Sequence, residues 1–94
     1  MISVLIVDDH PVVRQGLRAL LEVQDDMTVA GEAGDGPAAI SLAESLRPDI
    51  VLLDLKLPGM DGVAVLRPLR AAGLRVLVLT SATEPSTAAA AVRA

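Results

Sequence analysis

The 94-residue sequence contains no cysteine and no aromatic residue. Without cysteine the chain has no disulfide framework, no thiolate metal site and no thiol nucleophile, which suits a reducing compartment. Without phenylalanine, tyrosine or tryptophan it has no ring on which a base or a sugar could stack, and its core must be aliphatic. Disulfide scaffolds and stacking-based nucleic-acid binding are therefore excluded.

Positive charge is also scarce in the sequence. Eight Lys and Arg residues face twelve Asp and Glu residues, giving a formal net charge of −4. Binding to a nucleic-acid backbone needs clustered Lys and Arg, so this segment is not expected to hold one. Aliphatic runs such as Ile50–Leu53 are far too short to span a bilayer, and no basic leader precedes the first of them. We expect a soluble, cytoplasmic domain without membrane contact.

Short apolar runs alternate along the chain with segments of helical period. Three runs are continuous and apolar, Val4–Val7, Ile50–Leu53 and Val76–Leu79, and Met27–Ala30 is predicted as a shorter strand. Continuous apolar runs are typical of strands buried on both faces of a parallel sheet. The resulting β-α-β-α-β-α-β-α order predicts an α/β fold with a doubly wound parallel sheet and right-handed crossovers. The length allows one such domain, over residues 1–94.

Apolar residues at helical spacing follow each of the first three runs. We expect them to face the core, and they are Val13, Leu17, Leu20 and Leu21 in the first helix, Ile40, Ala43 and Leu46 in the second, and Val63, Leu66 and Leu69 in the third. Pro68 lies about two turns into the third helix, where a lost hydrogen bond costs about 3 kcal/mol. A kink or an early end is expected there. A fourth helix is predicted from Ser86 to Ala94.

Chemistry-bearing residues follow the predicted strands. Asp8 and Asp9 come after the first strand, Asp54 after the third and Thr80 after the fourth. In open parallel sheets, ligands bind beyond the carboxyl ends of the strands. Three carboxylates gathered there repel one another, and a raised pKa or a bound hard cation such as Mg²⁺ relieves the repulsion. With Mg²⁺ bound, one carboxylate can act as a nucleophile towards a phosphoryl group.

Each of these residues also has a simpler interpretation when taken alone. Asp8 and Asp9 could form a polar strand end, with Asp9 or His10 capping the next helix. Asp54 precedes a Pro-Gly turn, and Thr80 could be a capping hydroxyl. His10 is interpreted as a capping or surface residue, because no second histidine is present to share a metal. The combination of Asp8, Asp9, Asp54 and Thr80 favours a functional site.

The chain resembles the receiver domains of bacterial two-component response regulators, especially those of the NarL/FixJ (LuxR-type) subfamily. The segments that carry the resemblance are Val4–Arg14, Gly31–Gly36, Pro48–Gly62 and Val76–Ser81. The resemblance implies a CheY-like sheet of order 2-1-3-4-5. In this sequence the fifth strand and fifth helix would be missing, so that the domain is expected to end within the fourth helix.

The resemblance also implies a role for each site residue. Asp54 would be the phosphoacceptor and Thr80 the switch hydroxyl. Asp9 would bind Mg²⁺ directly and Asp8 through water, with Asp54 and the backbone carbonyl of Lys56 as further ligands. The implied partners are a sensor histidine kinase, which phosphorylates Asp54, and a second copy in a homodimer. DNA would be bound only by a C-terminal domain outside this sequence, and the domain would not be a turnover enzyme.

One departure from the family pattern keeps two alternatives open. Family members carry a phosphoryl-contacting lysine and usually an aromatic residue on the fifth strand, whereas Lys56 is the only lysine here. The phosphorylation site is therefore expected to be incomplete. The chain could be a degenerate receiver fragment that acts through dimerisation, since a fourth strand apolar on both faces favours self-association. A Mg²⁺-dependent phosphatase is less favoured, because such enzymes usually carry a second Asp where Lys56 stands.

Overall fold

A computed structural model of the protein describes residues 1–54, 56–57 and 60–79, with side chains described at all of these except 56 and 60–63. Its main strands are β1 (Ile2–Val7), β2 (Met27–Ala33), β3 (Ile50–Asp54) and β4 (Arg75–Leu79). Its helices are α1 (Pro11–Glu22), α2 (Gly36–Leu46) and α3 (Gly62–Ala71). The predicted alternation is confirmed over this part of the chain. The helix predicted from Ser86 lies outside the described residues.

The four main strands form one parallel sheet in the order β2-β1-β3-β4. The predicted doubly wound arrangement is therefore confirmed, and the strand order reverses between β1 and β3. A short antiparallel hairpin, Lys56–Leu57 with Met60–Asp61, follows β3. The sequence predicted only a turn at that place, because two-residue strands leave no periodic signal.

The core consists of two aliphatic layers, one on each face of the sheet. The layer beside α1 comprises Val4, Ile6, Leu17, Leu21, Met27, Val29 and Leu52. The layer beside α2 and α3 comprises Leu5, Val7, Ala33, Ala39, Ala43, Val51, Leu53, Leu57, Val65 and Leu69. Strands β1 and β3 contribute to both layers, as continuous apolar runs predict. Each large side chain buried in this way contributes about 1.5–3 kcal/mol of hydrophobic free energy.

The helix ends follow from local chemistry. Asp35 caps α2, because its Oδ1 accepts a hydrogen bond of 2.8 Å from the backbone N–H of Ala38. Helix α2 is followed by Arg47, whose φ of 47° is left-handed. Helix α3 runs through Pro68 to Ala71 before Gly73, which has φ of 82°. Of the two outcomes expected at Pro68, an early end at that residue is not seen, because its carbonyl accepts from the N–H of Ala72 at 3.1 Å, and the kink stays a prediction.

Two of the predicted core positions are exposed. Val13, at the start of α1, is 43% exposed, and Leu46, at the end of α2, is 41% exposed. The inward face of α2 consists instead of small residues, Gly36, Ala39 and Ala43. The helix therefore approaches the sheet closely through these residues, and the larger side chains lie at the border of the contact.

Strand β2 contains one residue more than its partner. Val4 pairs with Val29, but Leu5 pairs with Gly31, so that Ala30 is the extra residue of a β-bulge. Because of this bulge, Val29 packs in the α1 layer while Ala33 packs in the opposite layer. In a regular strand two residues four positions apart would share a face.

Candidate metal centre

The ends of β1 and β3 bring together the acidic residues predicted from the sequence. The two strands are neighbours, with Val7 opposite Leu53, so the residues that follow them reach the same edge of the sheet. Asp8, Asp9, His10 and Asp54 each offer one ligand atom, and these atoms lie within 4.8 Å of one another. Three carboxylates and one imidazole therefore form a cluster that could hold a metal ion.

Asp8 is the most buried member of this cluster. Its side chain is 10% exposed. Its Oδ1 accepts two hydrogen bonds from His10, one of 2.8 Å from the backbone N–H and one of 2.9 Å from Nδ1. Its own backbone N–H donates to the carbonyl of Ala33 in β2 at 3.0 Å. The Asp8 carboxylate thus stabilises the turn between β1 and α1.

Asp9 carries a buried oxygen without a hydrogen bond. Its Oδ1 has no hydrogen-bond partner among the described residues, although His10 Nδ1 lies 2.9 Å away. Nδ1 has a single hydrogen at most, and Asp8 Oδ1 lies at the same distance from it. A buried carboxylate oxygen without a donor is costly. It is also an open ligand position, and oxygen ligands of this kind fit Mg²⁺.

His10 lies at the opening of the cluster, with a side chain that is 63% exposed. It occupies the residue before α1, but its side chain makes no capping hydrogen bond. The sequence interpretation of a surface residue agrees with this exposure, whereas the capping interpretation does not. The hydrogen bond to Asp8, together with the negative charge of Asp9, raises the pKa of His10 above its ordinary value of 6.5.

The remaining predicted site residues differ in how far the structure describes them. Asp54 is the half-buried last residue of β3 and belongs to the cluster. Lys56 begins the hairpin just beyond it, and the proposed use of its carbonyl stays a prediction. Thr80 lies outside the described residues. It directly follows Leu79, which pairs with Asp54 in the register of β3 and β4.

Three residues that sequence reasoning missed lie directly behind the cluster. Arg14 Nη1 donates a hydrogen bond of 2.5 Å to the backbone carbonyl of Asp8. Arg14 Nε lies 3.4 Å from Glu32 Oε1, and a Cβ atom at Gly34 would come within 3.2 Å of Arg14 Nη1. Hydrophobic periodicity carries no signal for such contacts. Only the six-residue spacing from Asp8 to Arg14, which places Arg14 one turn into α1, pointed in this direction.

The fold and the cluster together define a class of protein: a doubly wound α/β domain with an acidic pocket at the carboxyl edge, where strand order reverses. Oxygen-rich sites of this type suit hard cations and phosphoryl chemistry. The sequence model of the response regulator receiver domain matches residues 4–94. The chain therefore belongs to the response regulator receiver domain family.

Similar proteins agree with this assignment. The chain is 46% identical over 80 residues to the nitrate/nitrite response regulator NarL of Escherichia coli K12, covering 83% of this chain and 37% of that protein. It superposes on the signal receiver domain of the putative response regulator NarL from Mycobacterium tuberculosis with a TM-score of 0.79 and 38% identity, covering 98% of this chain and 76% of that one.

A third similar protein is RcsB from Salmonella enterica serovar Typhimurium, whose structure is bound to the promoter rprA in the presence of the phosphomimetic BeF₃⁻. Its TM-score is 0.78 at 33% identity, covering 85% of this chain and 43% of that one. The chain thus spans less than half the length of the full-length regulators it matches. Family membership favours the receiver over the phosphatase, since receivers are typically not turnover enzymes. No helix among the described residues is long and apolar enough to cross a membrane.

Proposed function

We propose that this receiver accepts a phosphoryl group on Asp54 from a sensor histidine kinase. The observation that carries the proposal is the buried oxygen of Asp9, which has no hydrogen-bond partner among the described residues, within a cluster of carboxylates at the switch point of the sheet. Such a site is costly unless a cation binds there. Within the receiver family, an acidic pocket of this kind supports phosphorylation of the carboxylate at the end of β3.

The proposed phosphoryl transfer needs no reactant other than the phosphohistidine and Asp54. An oxygen of the Asp54 carboxylate attacks the phosphorus of a phosphohistidine, the O–P bond forms, and the N–P bond breaks with its electron pair leaving on the imidazole. Asp9 would hold Mg²⁺ directly and Asp8 through water, with Asp54 and the Lys56 carbonyl as the other ligands. Bound Mg²⁺ supplies charge neutralisation for the phosphoryl oxygens. The Thr80 hydroxyl would donate a hydrogen bond to the transferred group.

The biological setting of the receiver also belongs to the proposal. RcsB in its phosphomimetic state is bound to a promoter, and NarL is named as a response regulator for nitrate and nitrite. By this similarity, phosphorylated Asp54 would control a DNA-binding output domain in a longer protein, in the cytoplasm, with a homodimer as the active form. The assignment of residues 1–94 to a single receiver domain belongs to the same proposal.

Phosphorylation from a small donor tests the proposal without the kinase. We expect acetyl phosphate with Mg²⁺ to add one phosphoryl group at Asp54, detected by mass spectrometry of the intact chain and of its peptides. Asp54→Asn should abolish this labelling. Asp49→Asn is the matched control, because Asp49 lies at the other edge of the sheet and should label as the wild type does. Equal labelling of Asp54→Asn, or labelling that does not depend on Mg²⁺, would contradict the proposal.

A further inference from the structure

Both polar backbone groups of Asp8 are held by hydrogen bonds. The backbone N–H of Asp8 donates to Ala33 O at 3.0 Å, and the carbonyl of Asp8 accepts from Arg14 Nη1 at 2.5 Å. Because a peptide unit is planar, the hydrogen bond to the Asp8 carbonyl also fixes the N–H and Cα of Asp9. Arg14 thereby helps to fix the backbone position from which the Asp9 side chain extends.

Arg14 is itself fixed by its surroundings. Its side chain is only 21% exposed, and its Nε lies 3.4 Å from Glu32 Oε1. The other oxygen of Glu32 accepts a hydrogen bond of 2.6 Å from Arg18, so Glu32 is also held in place. Gly34 leaves the space that the guanidinium occupies, since a Cβ atom there would lie 3.2 Å from Nη1. A planar group packed in this way has little freedom to move.

The positive charge of Arg14 does not by itself explain why this residue lies next to the metal site. A guanidinium next to three carboxylates opposes the binding of a metal ion to them, because like charges repel. The hydrogen bond geometry offers a different role. Mg²⁺ requires nearly ideal octahedral geometry, whereas Ca²⁺ accepts a flexible and variable set of oxygen ligands. A rigid Asp8–Asp9 peptide therefore benefits Mg²⁺ more than Ca²⁺.

We propose that Arg14 is a positioning residue of the metal site, and that its hold on the Asp8–Asp9 peptide establishes the preference of the site for Mg²⁺ over Ca²⁺. The inference rests on the proposed function, because it takes Asp9 as a direct ligand of Mg²⁺. It adds a determinant of ion selectivity that binds no metal itself. Glu32 and Gly34 support the same arrangement by holding and accommodating the guanidinium.

Calorimetric titration of the metal-free protein with Mg²⁺ and with Ca²⁺ tests this role. Groups that orient metal ligands typically change metal affinity by about 10–100-fold when removed. We expect Arg14→Met to weaken Mg²⁺ binding about tenfold and Ca²⁺ binding less, so that selectivity falls. Arg18→Met is the matched control: it removes the same charge from the same helix and from the same Glu32, but Arg18 does not touch Asp8.

The direction in which metal affinity changes distinguishes a positioning role of Arg14 from an effect of its charge. If Arg14 acted only through its charge, Arg14→Met would bind both ions more tightly, and that result would overturn the proposal. Arg14→Lys keeps the charge but lacks the planar guanidinium that contacts both Asp8 and Glu32. It should therefore also lose Mg²⁺ selectivity. Gly34→Ala should shift the guanidinium and give a smaller loss of the same sign. Thermal unfolding in a chelator establishes which variants are folded at the titration temperature.

Failure of this inference is distinguishable from failure of the proposed function. A wild-type chain that does not bind Mg²⁺ at millimolar concentration contradicts the metal site itself, and with it both proposals. Wild-type binding together with unchanged selectivity in the folded variants Arg14→Lys and Gly34→Ala overturns only the role of Arg14. If Mg²⁺ and Ca²⁺ affinities fell by the same factor, Arg14 would be a structural residue without influence on selectivity.

Discussion

The two edges of the sheet use the same residue type in opposite ways. At the amino edge, Asp49 Oδ2 accepts hydrogen bonds from the backbone N–H of Ser3 at 2.7 Å and from its hydroxyl at 3.1 Å. The N–H of Asp49 in turn donates to the carbonyl of Ser3 at 2.9 Å. At the carboxyl edge, Asp9 Oδ1 is buried without a hydrogen bond among the described residues. The Asp49 carboxylate is thus hydrogen-bonded at the amino edge, whereas one Asp9 oxygen at the carboxyl edge is not, among the described residues.

The contrast separates residues that hold β1 and β3 together from residues that leave bonding capacity for a ligand. Asp49 and Ser3 join the starts of the two strands across 46 positions of sequence. Asp8, Asp9 and Asp54 occupy the ends of the same strands, where close carboxylates destabilise the fold. Functional sites commonly violate rules that the rest of a structure obeys. The two edges therefore should respond differently to the same substitutions.

The largest expected difference between the edges is their response to Mg²⁺. A ligand that binds only the native state at a hundredfold excess over its Kd adds about 2.7 kcal/mol of stability. We expect Mg²⁺ to raise the free energy of unfolding of the wild type by about this amount under such conditions. Asp9→Ala should lose most of the rise, because it removes the proposed direct ligand. Chemical denaturation with and without Mg²⁺ measures both values.

Asp49→Ala is the control for this experiment at the amino edge. It removes an aspartate from the same sheet but leaves the acidic cluster intact, so the full Mg²⁺ effect should remain. An equal rise in Asp9→Ala would show that Mg²⁺ binds elsewhere.

In the metal-free protein, alanine substitution of the two aspartates should change the free energy of unfolding in opposite directions. Asp9→Ala should stabilise the fold by about 1–2 kcal/mol, since it removes a buried oxygen without a donor and part of the charge repulsion. Asp49→Ala should destabilise it, because Ser3 loses the acceptor of its N–H and hydroxyl. Melting temperatures in the presence of a chelator test the pair, and destabilisation by both substitutions would remove the distinction.

A backbone substitution at the amino edge should lower stability without affecting metal binding. Gly73 has φ of 82° in the turn that leads into β4. Among the described residues, no atom outside its immediate neighbours lies within 4 Å of a Cβ placed there, so Gly73→Ala chiefly tests conformation. We expect a loss of about 1 kcal/mol, since an alanine resists positive φ. Denaturant titration should show this loss with an unchanged Mg²⁺ response, and a changed response would couple the two edges.

The smallest expected effect concerns pH. The hydrogen bond from the Ser3 backbone, with that from its hydroxyl, lowers the pKa of Asp49 below its ordinary value of 3.8. A lowered pKa means that the charged form is favoured in the folded state, so the stabilisation is present above pH 3.8 and is lost as pH falls through the folded pKa. The stability difference between the wild type and Asp49→Asn should therefore narrow in acid. A difference independent of pH would show that the charge of Asp49 is immaterial.

The sequence predicted the acidic cluster better than its surroundings. Continuous aliphatic runs locate β1 and β3, and the strand-end rule then places Asp8 and Asp54 at one edge. The contacts of Arg14 with Asp8 and of Ser3 with Asp49 were not predicted. They depend on strand register and on side-chain conformation across distant parts of the chain, and periodicity reports only which face of an element is apolar. The exposure of Val13 and Leu46 was not predicted either, because periodicity does not report how each residue of that face packs.

The bulge at Ala30 determines on which face of the sheet the later residues of β2 lie, and no side chain of the strand shows this. Because one residue is inserted between Val29 and Gly31, the strand changes faces, and Glu32 points to the side of α1, where Arg14 and Arg18 lie. Deleting Ala30 would leave each later residue of β2 with its present partner in β1, whereas regular pairing of Ala30 with Leu5 would turn Glu32 to the opposite side of the sheet. The placement of Glu32 against Arg14 thus depends on a bulge in a neighbouring strand, and a change that shifted this register would act on the proposed metal selectivity as a substitution at Arg14 does.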